Sequence, residues 1–103
     1  MRIEVLYVPG CPNHAAAIHS VNEALRSEKT LAVVEEVEVS DAAAAQALRF
    51  PGSPTIRING ADAEPREGLS FGLACRLYSS AGHVPSQATL RRAIASARQA
   101  EGR

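Results

Sequence analysis

Cys11 and His14 stand three residues apart, as Cys-Pro-Asn-His, between an apolar run and the start of a helical pattern. The thiolate is the form of cysteine that attacks disulfides and binds soft metals. At a helix N-terminus, free backbone N–H groups and a dipole of about half a positive charge favour thiolate over thiol. The same field disfavours an imidazolium. A neutral His14 could accept the Cys11 proton, or join Cys11 as a ligand for zinc, Cu(I) or mercury. The plainer expectation for His14 is a half-buried ring bonded to backbone or water.

The second thiol, Cys75, lies between Leu73 and Leu77 at two-residue spacing. That spacing predicts one apolar strand face, on which a free cysteine is a small core hydrophobe. The chemical alternative is a resolving thiol for Cys11, or a third metal ligand. Distance opposes it. Strands two apart are separated by roughly 9.5 Å, and a disulfide needs Cα atoms within about 7 Å.

The remaining candidates are weaker. His19 falls on the wet face of the first helix and His83 in a loop. Glu35, Glu36 and Glu38 read as a solvated strand edge, Arg91 and Arg92 as a solvated helix face. The chain contains no glycine-rich phosphate loop, paired-carboxylate site or nucleophilic serine elbow.

The elements that must position these residues follow from periodicity. Residues 2–8 are almost wholly apolar and predict a central strand buried on both faces. Pro9-Gly10 breaks it. A helix is expected from about Pro12 to Glu28, with His14, Ile18, Val21 and Leu25 as its inward stripe. Residues 31–39 predict a charged edge strand. Ser40 is expected to cap a short alanine-rich helix over 41–49.

Phe50-Pro51-Gly52-Ser53-Pro54 breaks the chain again. Residues 55–58 alternate as a strand, and Asn59-Gly60 signals a turn. Ala61 to Glu67 reads as a loop. Residues 71–78 predict a fourth strand with Phe71, Leu73, Cys75 and Leu77 on one face, antiparallel to the third. A last helix is expected over about 86–99, with Leu90, Ala93, Ile94 and Ala97 inward. The order is β-α-β-α-β-β-α, an α/β class with a four-stranded mixed sheet and helices on both faces.

With this order, Cys11-Pro12-Asn13-His14 after strand 1 and Ser53-Pro54-Thr55 before strand 3 resemble a small thioredoxin-like domain. They sit where that superfamily keeps its CxxC motif and its cis-proline. The likeness is to short, glutaredoxin-like members, without the extra N-terminal strand and helix or the Trp of thioredoxin itself. It implies Cys11 as nucleophile, His14 as its neighbour in place of the second cysteine, and Pro12, Asn13, Ser53, Pro54 and Thr55 as substrate-holding residues. It implies no bound cofactor, with glutathione as thiol co-substrate and a small thiol or protein disulfide as partner. The Cys-x-x-His form departs from the pattern, because no second thiol in the motif can release a mixed disulfide.

Composition narrows the classes. At 103 residues the chain is a single domain spanning 1–103, with room for one modest core. Eleven Lys and Arg balance eleven Asp and Glu, and aromatics make up 4%. That excludes a basic, base-stacking nucleic-acid binder. No segment reads as a signal peptide or membrane span, so the cytoplasm is the expected compartment. Two widely spaced cysteines suit such a reducing environment. Three functions remain: a thiol-dependent redox protein, a soft-metal binder using Cys11, His14 and Cys75, or a binding module that keeps the fold without the catalysis.

Overall fold

The computed structural model describes residues 1–65, 68 and 70–102. The loop expected over 61–67 therefore lies partly outside the described residues. The architecture is mixed α/β: a four-stranded mixed sheet with three helices. β1 (Arg2–Tyr7) lies inside the sheet, parallel to β2 (Val33–Glu38) on one side and antiparallel to β3 (Thr55–Ile58) on the other. β4 (Ala61–Asp62) extends the sheet beyond β3, giving the order β2-β1-β3-β4.

The alternation of β1 explains its two-sided burial. Ile3 and Val5 enter one core with Ala17, Val21, Ala24 and Leu25 of α1 (His14–Ser27) and Leu90 and Ile94 of α3 (Gln87–Glu101). Leu6 faces the other way, onto Val39, Phe50 and Ala45 of α2 (Ala42–Ala47). The inward stripe of α1 is thus shifted from the expected one. Ala17 and Ala24 are fully buried, and Ile18 only borders the core.

Capping decides the helix limits. α1 begins at His14, not Pro12, and Asn13 at its N-cap makes no side-chain cap bond. Asp41, not Ser40, caps α2, accepting the Ala44 N–H at 2.7 Å. Ser86 caps α3 by accepting the Thr89 N–H. α2 closes with Arg49 in the left-handed region (φ 52°) and the Phe50 N–H donating to the Ala45 carbonyl at 2.8 Å. This Schellman-type end drops Phe50 into the core.

The largest correction concerns strand 4. Asn59 and Gly60 both have positive φ, 50° and 86°, as the two centre positions of a type I′ hairpin require. The chain therefore turns straight back into β4, so the segment that flanks β3 is Ala61–Asp62. The 71–78 segment forms no strand beside β3. It makes one isolated bridge, parallel, between Ser53 and Cys75.

Its facing is also opposite to expectation. Leu73 and Leu77 are 41% and 57% exposed and Cys75 is exposed, while Arg76 and Tyr78 are each only 2% exposed. From Cys75 to Tyr78 exposed and buried residues alternate, but a charged side chain faces inward. No helix among the described residues is long and apolar enough to cross a membrane.

Candidate functional site

Cys11 lies in the turn that leads from β1 into α1. Its N–H donates to the Val8 carbonyl at 3.1 Å, and its own carbonyl accepts the His14 N–H at 3.3 Å. Pro9-Gly10 makes this turn accessible to the chain, since Gly10 adopts φ 73° in open space. The residue is half-buried and its thiol is free. Pro12 beside it is exposed, and Asn13 is half-buried, with its carbonyl accepting the Ala17 N–H at 3.0 Å.

His14 is drawn toward the sheet. Its ring stacks on Tyr7 with centroids 3.7 Å apart and planes within 10°. Its Nε2 approaches Glu36 Oε1 to 2.6 Å. The alignment is not that of a hydrogen bond, and this buried nitrogen has no hydrogen-bond partner. The contact is thus electrostatic in kind and present as an ion pair only when His14 is protonated. The expected solvated edge at Glu36 carries a partner after all. Glu35 likewise meets Arg2 at 3.2 Å.

The second motif is buried. Ser53, Pro54 and Thr55 all lie inside, and the Ser53–Pro54 peptide bond is cis. Every polar group of Ser53 is engaged within the chain. Its N–H donates to Ala74 O at 2.9 Å, its carbonyl accepts the Arg76 N–H at 3.0 Å, and its Oγ accepts the Val8 N–H at 3.0 Å. Thr55 Oγ1 donates to Gly52 O at 2.6 Å, and the Pro54 carbonyl accepts the Tyr78 hydroxyl at 2.6 Å. The backbone before Pro54, in the segment that the resemblance implied would hold substrate, is paired with residues 74–76 of the chain itself.

Arg76, Asp62 and Tyr78 are the residues that the sequence did not single out. The Arg76 guanidinium binds Asp62 bidentately at 2.6 and 3.1 Å, Glu64 O at 2.6 Å and Thr55 Oγ1 at 3.3 Å. It also lies over the Tyr78 ring, 4.4 Å from the centroid. Burial pushes the Tyr78 phenol well above its ordinary range. His83, expected in a loop with a structural role or none, places Nδ1 2.9 Å from the Arg76 carbonyl. Gly52 fits this arrangement closely. At φ 137°, a Cβ there would come within 3.0 Å of Arg76 Cβ and 3.1 Å of Ala74 O.

The structure therefore brings the Cys11 turn and the Cys75 segment to opposite sides of one residue, Ser53. His14 joins Tyr7 and Glu36 instead. His19 is exposed beside Glu23, as its wet-face placement predicted. Among the described residues, no three His, Cys, Asp or Glu side chains gather as a metal ion would require. Comparison of the chain with family models, characterised proteins and solved structures gives no significant match.

Proposed function

We propose that the protein is a thioredoxin-like, glutathione-linked thiol redox protein in which Cys11 is the nucleophile. One observation carries this reading: a half-exposed free thiol in the turn between an interior strand and the N-terminus of a helix of 14 residues. The element order β-α-β-α-β-β-α, with Ser53-Pro54 ahead of β3 near that turn, supports the thioredoxin-like assignment. Two free cysteines suit a reducing, cytoplasmic setting.

The Cys11 thiolate attacks one sulfur of a low-molecular-weight or protein disulfide. A bond forms between Cys11 Sγ and that sulfur, the original S–S bond breaks, and the other sulfur leaves as a thiolate that takes a proton from water. A glutathione thiolate then attacks the sulfur bonded to Cys11, which leaves as thiolate. Pro12 and Asn13 are the neighbours of Cys11 that an incoming disulfide meets first. Ser53, Pro54 and Thr55 act by holding the 74–78 segment and the end of β1, not by pairing with substrate. His14 sits beside the site, engaged with Tyr7 and Glu36.

The test is glutathione-dependent reduction of a small mixed disulfide, with thiol mapping by mass spectrometry. The reading expects glutathione disulfide to convert Cys11 to a disulfide, and loss of turnover in Cys11→Ser. A Cys11 that stays unmodified in glutathione disulfide, with and without zinc, overturns it in favour of a binding module. Protection of Cys11 by zinc alone favours the soft-metal reading.

A further inference from the structure

The placement of Cys75 bears on the step that Cys-x-x-His leaves open, the release of the mixed disulfide. Val8 and Cys75 flank Ser53 on its two sides. The Ser53 hydroxyl accepts the Val8 N–H, and the two backbone groups of Ser53 bond Ala74 O and the Arg76 N–H, which sets Ser53 beside Cys75 as a parallel bridge. Bridged residues project their side chains to the same face of the pleat. The Cys75 side chain therefore leaves the backbone on the same face as the Ser53 side chain, whose hydroxyl accepts the N–H of Val8, three residues before Cys11.

The Cys75 backbone is held firmly. Arg76 is locked to Asp62, Glu64 and Thr55, and Tyr78 to Pro54, while Gly52 lets the two segments approach to van der Waals distance. An exposed thiol thus rides on one of the most heavily anchored irregular segments of the chain. In the Cys11 turn the Cys11 N–H donates to Val8 O, and a Cβ added at Gly10 would meet nothing within 4 Å.

On the reading that Cys11 is a redox nucleophile, we propose that Cys75 is its resolving thiol, so that the working pair is Cys11–Cys75 and not a pair within the Cys-x-x-His motif. Ordinary strand spacing sets the backbones on either side of Ser53 roughly 9.5 Å apart, somewhat beyond the roughly 7 Å reach of a disulfide. The open space around Gly10 gives the Cys11 turn room to close that gap, with Cys75 as the fixed partner. After glutathione disulfide has placed one glutathione on Cys11, the Cys75 thiol loses its proton to water and attacks Cys11 Sγ. The Cys11–Cys75 bond forms, and the Cys11–glutathione bond breaks. The second glutathione leaves as thiolate and is protonated. In sum, glutathione disulfide is reduced to two glutathiones and the protein loses two hydrogens.

The experiment treats the intact protein and Cys75→Ser with glutathione disulfide, quenches in acid, and maps masses before and after trypsin. The expected result is a parent lighter by two hydrogens with a Cys11–Cys75 cross-linked peptide, and a Cys75→Ser protein that accumulates the Cys11 adduct. A parent that keeps the Cys11 adduct to the same extent as Cys75→Ser overturns the inference and leaves the Cys11 reading intact. A parent linked through Cys75 to a second copy overturns it as well. A Cys11 that stays a free thiol in both proteins overturns both. Because Cys75 is exposed, its replacement by serine removes no core contact, and circular dichroism of the variant checks the fold.

Discussion

Arg76 reaches Asp62 through two hydrogen bonds, of 2.6 and 3.1 Å, from a side chain with only 1% of its surface exposed. The pair spans fourteen residues and joins β4 to the irregular segment that carries Cys75. Asp62 itself is 20% exposed, so the two partners are unequal. Removing Asp62 leaves a buried cation without its counter-charge, whereas removing Arg76 leaves a carboxylate that water can reach. Breaking a buried pair in the first way costs about 3–5 kcal/mol. We expect Asp62→Ala to be clearly more destabilising than Arg76→Met in urea unfolding. Equal losses in the two variants would show that the charge is solvated in the native protein.

Gly52 and Gly10 make a controlled comparison. Both have positive φ, but only Gly52 faces atoms at 3.0 and 3.1 Å. Gly10→Ala should cost only the left-handed backbone term, about 1–2 kcal/mol. Gly52→Ala adds overpacking of about 1–3 kcal/mol, because Ala74 O and Arg76 Cα are backbone and cannot rotate away. Urea midpoints measured side by side decide the ranking, and a Gly52→Ala protein as stable as Gly10→Ala would refute the close fit.

Tyr78 makes stability depend on alkaline pH. Its phenol is raised in the folded protein by burial, while an unfolded tyrosine titrates near about 10. Below that value both states hold the proton and the full stability is present. Above it the unfolded chain releases the proton first, so stability falls as pH rises. Tyr78→Phe should lose about 1 kcal/mol at neutral pH with its bond to Pro54 O, and should decline less steeply between about pH 9 and 11. Parallel slopes for parent and variant over that range would contradict the assignment.

His14 is expected to matter for packing more than for thiol chemistry. Its ring is stacked on Tyr7 and its Nε2 is turned to Glu36. His14→Ala should therefore leave the rate of Cys11 alkylation at neutral pH within about threefold of the parent, since the His14 ring is engaged with Tyr7 and Glu36 and the helix N-terminus beside Cys11 is kept. A fall of tenfold or more in an iodoacetamide titration would mean that a Cys–His pair is the working unit.

What was legible in the sequence was whatever local periodicity and local chemistry fix. β1 is continuous apolar chain, and it is a two-sided interior strand. β3 and the Asn59-Gly60 turn stand where alternation and left-handed tolerance put them. α3 buries Leu90 and Ile94 as its 3.6-residue pattern demands, and the glutamates of β2 mark a sheet edge. The placement of Cys11 before a helix needed no more than Pro9, Gly10 and Pro12.

Tertiary structure alone decided the 71–78 segment. Its apolar alternation argued for Leu73, Cys75 and Leu77 inside, and a pattern rule has no reason to bury an arginine. The opposite face won because Arg76, once inside, finds Asp62, Glu64 O, Thr55 and the Tyr78 ring together. A charge enters a core when its partners are already there, and its hydrogen-bond partners come from β3, β4 and the loop after it. The tight hairpin sets β4 beside β3 and so supplies Asp62. The same choice turned Cys75 outward and set it against Ser53, a relationship between residues 22 positions apart that one strand's periodicity does not encode.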